Sequence, residues 1–246
     1  MERIEWNIIK LQETCSTNTY LDRIDSESTQ QEGCVVTTNT QLAGRGQRGN
    51  SWESEPGQNL TFSYLLRPEG IAPQEQFVLS QAASLAVVDV LSQYGSGFSV
   101  KWPNDIYYGD RKIAGILIEH NLTGMNISRT IVGIGLNINQ QHFISDAPNP
   151  ISLRQITAEV YDLDMMLHKV LEATSVRYAQ CVEDKVQLQR DYASVLYRRE
   201  GFFLYRDAKG EFMATIREVQ PDGYLILCDT EGNLRRYAFK EVVFII

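Results

Sequence analysis

The spacing of apolar and polar positions changes several times along the chain, and each change predicts an element. GCVVTTNT, residues 33–40, puts β-branched residues behind Gly33 and predicts a strand. NLTFSYLLRP, from Asn59, predicts a second strand that ends at Pro68. From Pro73 to Tyr94 the period lengthens. Phe77, Val78, Ala82, Leu85, Val88 and Leu91 recur at helical spacing, and Gly95 is the stop signal. Ser16 and Thr17 are candidate caps for a shorter helix over about Asn18 to Asp25. Strand character returns in FSVKW, DIYY, KIAGILIE and SRTIVGIGLNIN, with YGDR as a hairpin turn. QQHFISDAPNP reads as a loop. A long amphipathic helix is predicted from about Asp162 to Leu188, with Leu163, Met166, Leu167, Val170, Leu171 and Tyr178 on one face.

After Arg198 the pattern shifts to GFFLYR, EFMATIREV, YLILCD, LRRYAF and VVFII, split by AKG, PDG and TEGN. Five short strands with tight turns read as a small β-barrel. The expected division is therefore residues 1–197 and 198–246. The first part is expected to be α+β with a mixed, largely antiparallel sheet, because its strands lie too close together for helical crossovers.

Composition narrows the function. The formal charge is −8, which argues against DNA or RNA as the main partner, since phosphate binding needs basic surface. Cys15, Cys34, Cys181 and Cys228 form no C-x-x-C pair and suit reduced thiols in a cytoplasmic protein. His120, His142 and His168 are scattered and give a zinc site no support. The first residues, MERIEWNIIKLQET, are too charged for a signal peptide. No run reaches the roughly 18 apolar residues of a membrane helix.

The stretch QLAGRGQRG, Gln41 to Gly49, carries the candidate chemistry. It contains G-x-G-x-x-G, but Gln41 to Ala43 separate it from the preceding strand and no helix follows, so the dinucleotide reading fails. A P-loop reading lacks its lysine, with Asn50 in that place. Glycines permit close backbone approach, and arginines bring bidentate donors for carboxylate or phosphate. A small anionic ligand fits both.

Other segments extend this motif. STN at Ser16 to Asn18, GRGQRGNSW at Gly44 to Trp52, KWPNDI at Lys101 to Ile106, RKIAGILIE at Arg111 to Glu119 and GIGLNIN at Gly133 to Asn139 together resemble the biotin protein ligases. The resemblance spans about residues 16 to 139, and the C-terminal barrel is also what that family has. It implies a catalytic domain like those of class II aminoacyl-tRNA synthetases, with an SH3-like barrel. It further implies an enzyme that joins biotin to ATP and then transfers biotin to a lysine of a biotin carboxyl carrier domain.

On that resemblance Ser16, Thr17, Asn18 and Gln41 hold the biotin head. Gly44, Arg45, Gly46, Gln47, Lys112 and Gly115 complete the biotin site. Lys112, Arg45 and Asp105 are the catalytic candidates. The two cations offset repulsion between carboxylate and α-phosphate, and Asp105 orients or deprotonates the acceptor lysine. Arg48, Lys101, Asn104 and Asn137 are placed at ATP, with Mg²⁺ between the phosphates and no certain protein metal ligand. Trp102 is expected in the core. Phe143, in the loop Gln140 to Pro150, could stack on adenine. The loop Gly44 to Asn50 is expected to close over the adenylate and exclude water.

Gln47 and Asn50 stand where many relatives carry arginine. With the first motif at Ser16, a short form without an N-terminal DNA-binding domain is expected. The state is read as monomer or homodimer. Two alternatives stay open, a lipoate or octanoate ligase or transferase, and a non-catalytic biotin-binding regulator.

Overall fold

The computed structural model describes residues 4–46, 51–144 and 149–246. Two antiparallel-rich sheets and five α-helices make an α+β fold in which the period of each segment decides which face it buries. β1 (Asn7–Thr14) leads into α1 (Thr17–Glu27), and the chain returns along β2 (Cys34–Gln41), parallel to β1. β3 (Leu60–Leu66) follows, then α2 (Phe77–Leu91), β4 (Phe98–Lys101), β5 (Asp105–Tyr108), β6 (Arg111–Thr123) and β7 (Asn126–Leu136). The strand order is β1-β2-β3-β7-β6-β5-β4, with every pair after β1–β2 antiparallel.

One face of this sheet packs on α2, which buries residues around most of its circumference, and on α4 (Leu163–Glu183) behind it. Phe62, Ile134 and Ile116 form a register row across β3, β7 and β6 on this face, and all three are buried. Fully burying each such side chain stabilises the fold by about 1.5–3 kcal/mol. α1 lies on the other face, where Leu21 packs on Val36, Leu65 and Ile131.

The sequence expects one helix from Asp162 to Leu188. The structure breaks it at Asp184, whose φ of −150° and ψ of 62° leave the helical region. The Asp184 carboxylate accepts from the Gln187 N–H (3.1 Å) and starts α5 (Lys185–Ser194). Arg177 of α4 then ties the layers together through Asp89 of α2 (2.6 Å) and Asp191 of α5 (2.5 Å). Two elements were not read from the sequence. One is β1. The other is α3 (Leu153–Thr157), a short helix started by a Ser152–Gln155 capping box just after the expected loop.

β8 (Phe203–Asp207), β9 (Gly210–Val219), β10 (Leu225–Asp229), β11 (Leu234–Tyr237) and β12 (Val243–Phe244) form the second sheet, in the order β11-β10-β9-β8-β12. Its core is continuous with that of the first part. The Trp102 indole donates to the Gly223 carbonyl (3.0 Å) and meets the Phe239 ring at 5.3 Å. Backbone bonds Val100 N–H to Val195 O and Tyr197 N–H to Val100 O, each 2.8 Å, attach the connecting segment to β4. Among the described residues no helix is long and apolar enough to cross a membrane.

Candidate active site

Strand alternation builds the floor of a cleft on the face opposite α2. Thr61, Gly135, Gly115 and Asp105 are register partners across β3, β7, β6 and β5, and Ser63, Gly133 and Leu117 form the next row. Large side chains are missing where a ligand needs room. The cleft measures about 530 Å³, within the range of small-molecule sites.

At one end of this floor lies the start of α1. Ser16 occupies the N-cap position, but its hydroxyl makes no cap bond. Instead the Thr17 N–H donates to Gln41 Oε1 (2.9 Å), so β2 caps the helix from outside. Ser63 Oγ donates to Asn18 Oδ1 (2.5 Å) and stands 2.7 Å from Thr17 Oγ1. A Cβ at Gly133 would overlap Asn18 Oδ1, which explains the glycine. These side chains form a neutral cluster of hydroxyls and amides, nearly all buried. Asp25 fixes the helix that carries them. Its buried carboxylate meets Arg67 (2.6 Å) and Arg129 (2.7 Å). Burial alone would raise the Asp25 pKa, but the hydrogen bond from Arg129, the Gln30 N–H and the charge of Arg67 together hold it below the usual carboxylate range.

At the other end sit the cations. Lys112 Nζ pairs with Asp105 Oδ1 at 2.7 Å, both partly exposed to the cleft. The β5–β6 register irregularity falls between Ile106 and Tyr107, beside this pair. Lys101 Nζ lies 5.1 Å from the Tyr107 ring centre and 5.3 Å from that of Phe244. Burial lowers the Lys101 pKa, Lys112 and Arg198 push the same way, and the charge of Asp105 opposes them. Arg45 reaches in from the glycine-rich loop and pairs with Glu119 at 2.8 Å.

The Trp52 indole spans the middle. A Cβ on Gly135 would overlap it, and one on Gly115 would lie 3.1 Å from its ring. Its Nε1 is buried without a partner, and Lys112 Nζ stands 5.6 Å from the ring centre. The two glycines therefore make room for an aromatic plate over the sheet.

The structure brings Ser16, Thr17, Asn18, Gln41, Arg45, Gly46, Lys101, Asn104, Asp105, Lys112 and Gly115 to one cleft. Asn104 is also pinned to the sheet, since its Nδ2 donates to the Ile116 carbonyl and its own carbonyl accepts from the Ile116 N–H. Trp102 is buried as expected, and it also lines the cleft. Gly44 and Asn137 do not line it. Gly44 accepts the Trp52 N–H (2.9 Å) and shapes the loop. Asn137 is buried, donating to the Ile151 carbonyl (3.1 Å) with its Oδ1 unpaired. Gln47 and Arg48 lie outside the described residues, as does most of the loop segment expected to close. Phe143 is half-buried and lies outside the cleft lining.

Four contributors went unassigned in the sequence. Ser63 and Glu119 follow from alternation, being in step with Thr61 and Gly115. Trp52 ends a motif already noticed. Phe244 arrives from the second sheet with Val242 and Val243, and no local pattern points to it.

A family model for the biotin/lipoate A/B protein ligases matches residues 11–137, which include every strand of the cleft floor. The chain belongs to that family. The chain is similar to the bifunctional ligase/repressor BirA of Bacillus subtilis, 29% identical over 84% of this chain and 65% of that protein. The Escherichia coli protein of the same name is 41% identical over 50% of this chain and 38% of its own length. The chain thus spans less than two thirds of these relatives. Among solved structures, a biotin protein ligase from Aquifex aeolicus in complex with biotin and ATP is 26% identical, with a TM-score of 0.76 over 96% of this chain and 97% of that one.

Proposed function

We propose that this chain is an ATP-dependent ligase that activates biotin as biotinyl-5'-adenylate and transfers it to a lysine of a biotin carboxyl carrier domain. One observation carries the reading. A hydroxyl and amide cluster, with Arg45 beside it, and the lysines Lys101 and Lys112 line one glycine-floored cleft. Biotin suits both groups, with a donating and accepting ureido head at one end and a carboxylate at the other.

In the first half-reaction a biotin carboxylate oxygen attacks the α-phosphorus of ATP. A new O–P bond forms, the α–β bridging bond breaks and pyrophosphate leaves. Ser16, Thr17, Asn18, Gln41 and Ser63 orient the head. Arg45 and Lys112 take up charge at the carboxylate and α-phosphate, and Lys101 faces the polyphosphate. Trp52 covers the alkyl chain and keeps water off the acyl phosphate. In the second half-reaction the acceptor amine attacks the acyl carbon, an amide forms and AMP leaves. Asp105, released from Lys112, accepts the proton.

The donor set bears on Mg²⁺. Among the described residues no three His, Cys, Asp or Glu side chains cluster, and Asp105 is the carboxylate that lines the cleft. That set fits an ion carried mainly by nucleotide phosphates, with one protein oxygen at most. It would neutralise phosphate charge.

The head cluster also favours biotin over lipoate, because its hydroxyls and amides suit a head that donates and accepts and a dithiolane does neither well. The test is exchange of labelled pyrophosphate into ATP with biotin, lipoate or octanoate. Exchange with biotin alone is expected. Exchange with lipoate or octanoate, or none with any acid, would refute the reading.

A further inference from the structure

Glu119 has no role in the chemistry above, yet it touches both the polar cluster and a cation of the site. Alternation along β6 turns Gly115, Leu117 and Glu119 to the cleft face. One carboxylate then serves two partners. Glu119 Oε2 accepts from Asn18 Nδ2 at 2.8 Å and from Arg45 Nη2 at 2.8 Å, while Oε1 stands 3.1 Å from the same guanidinium nitrogen. Asn18 is thereby held at both ends of its amide, since its Oδ1 already accepts from Ser63. Arg45 is held by an anion of the protein itself. The other cleft cation repeats the arrangement, with Lys112 on Asp105.

We propose that Glu119 is an internal stand-in for the substrate's anion. It holds Arg45 against the sheet and surrenders it when a ligand carboxylate or α-phosphate arrives. This rests on the ligase reading above. Arg45 and Glu119 are each close to half exposed, so exchange of one anion for another at the guanidinium is not blocked by burial. Taking Arg45 from Glu119 weakens the binding of anionic ligands, and it does not act on a neutral ligand that leaves the Arg45–Glu119 pair intact. The residue is thus a positioning group that acts through Arg45. It sets how readily Arg45 lets go of, and takes up, a charged ligand.

The test compares biotin with its alcohol analogue, in which CH₂OH replaces the carboxylate, by calorimetric titration at low and high salt. Glu119→Gln keeps an oxygen for Asn18 and removes the charge. The expected result is a several-fold fall in the biotin Kd at low salt, little change for the alcohol, and a smaller gain at high salt as screening takes over. In an Arg45→Gln background the gain from Glu119→Gln should shrink to within error, as a double-mutant cycle requires. Equal shifts for the two ligands, weaker biotin binding, or an undiminished gain without Arg45 would overturn the proposal. If the wild-type protein binds no biotin, the ligase reading falls with it. If the wild type binds biotin and exchanges pyrophosphate, a failure of the mutant comparison removes this inference alone.

Discussion

The two faces of the seven-stranded sheet are made by the same strands and do opposite work. Facing the helices, Phe62, Ile134 and Ile116 are buried and close-packed. One residue along, Thr61, Gly135 and Gly115 leave a trough. On the helix face polar groups are few, and the charged ones are paired, as Arg177 is with Asp89 and Asp191. On the cleft face polar groups sit close to one another, and Trp52 Nε1 has no partner at all. The difference teaches that side-chain volume on one face of the sheet supports folding, while its absence on the other seats the site side chains Trp52 and Asn18 against the floor. Substitutions on the two faces should therefore separate stability from activity.

The largest effect expected on the cleft face is that of Lys112→Ala. It removes a cation from the point where two anions meet. Adenylate formation should fall by about 10²–10⁴-fold, or roughly 3–5 kcal/mol in transition-state stabilisation, with the melting temperature nearly unchanged. Pre-steady-state adenylation rates and a thermal melt check both halves. A mutant with wild-type rates would break the comparison.

A smaller effect is expected opposite the cleft. His120 follows Glu119 on β6 and points away from it, its Nδ1 2.9 Å from Thr130 Oγ1. Burial pushes the imidazole pKa down to about 4. The folded protein thus keeps His120 neutral where the unfolded chain, titrating near 6.5, takes up a proton. That contribution to stability is present above about pH 6.5 and is lost as the pH falls toward 4, on the order of 2 kcal/mol. Urea midpoints at pH 7 and 4.5 should converge in His120→Gln relative to the wild type, without a change in biotin affinity at pH 7. An unchanged pH slope in the variant would contradict the assignment.

Much of the site was legible because its motifs are local. Arg45 in its loop, the Ser-Thr-Asn segment and the Lys112 strand each belong to a few consecutive residues, and the sheet brings them together. Period-two spacing could also have named Ser63 and Glu119. Asn137 shows how little a polar residue in a strand motif reveals by itself, because it looks the same whether it faces a ligand or bonds to the backbone, as here to Ile151. The wall from the second sheet was out of reach, since Lys101 and Phe244 meet only through the packing of Trp102 and Tyr197. The break at Asp184 was hidden because the apolar stripe continues through it, and the only signal is an aspartate able to start a new helix.

Ile134 and Gly135 are neighbours that face opposite ways, and biotin titration of Ile134→Ala and Gly135→Ala, with melting temperatures, tests the two-face account most directly. A methyl on Gly135 displaces the Trp52 indole from the floor. That variant should stay folded and lose biotin affinity by at least about tenfold, or 1.4 kcal/mol. Ile134→Ala leaves a core cavity, should be destabilised by about 2–5 kcal/mol, and should bind biotin normally below its melting temperature. The opposite pattern, with Gly135→Ala unfolding and Ile134→Ala losing affinity, would contradict the account.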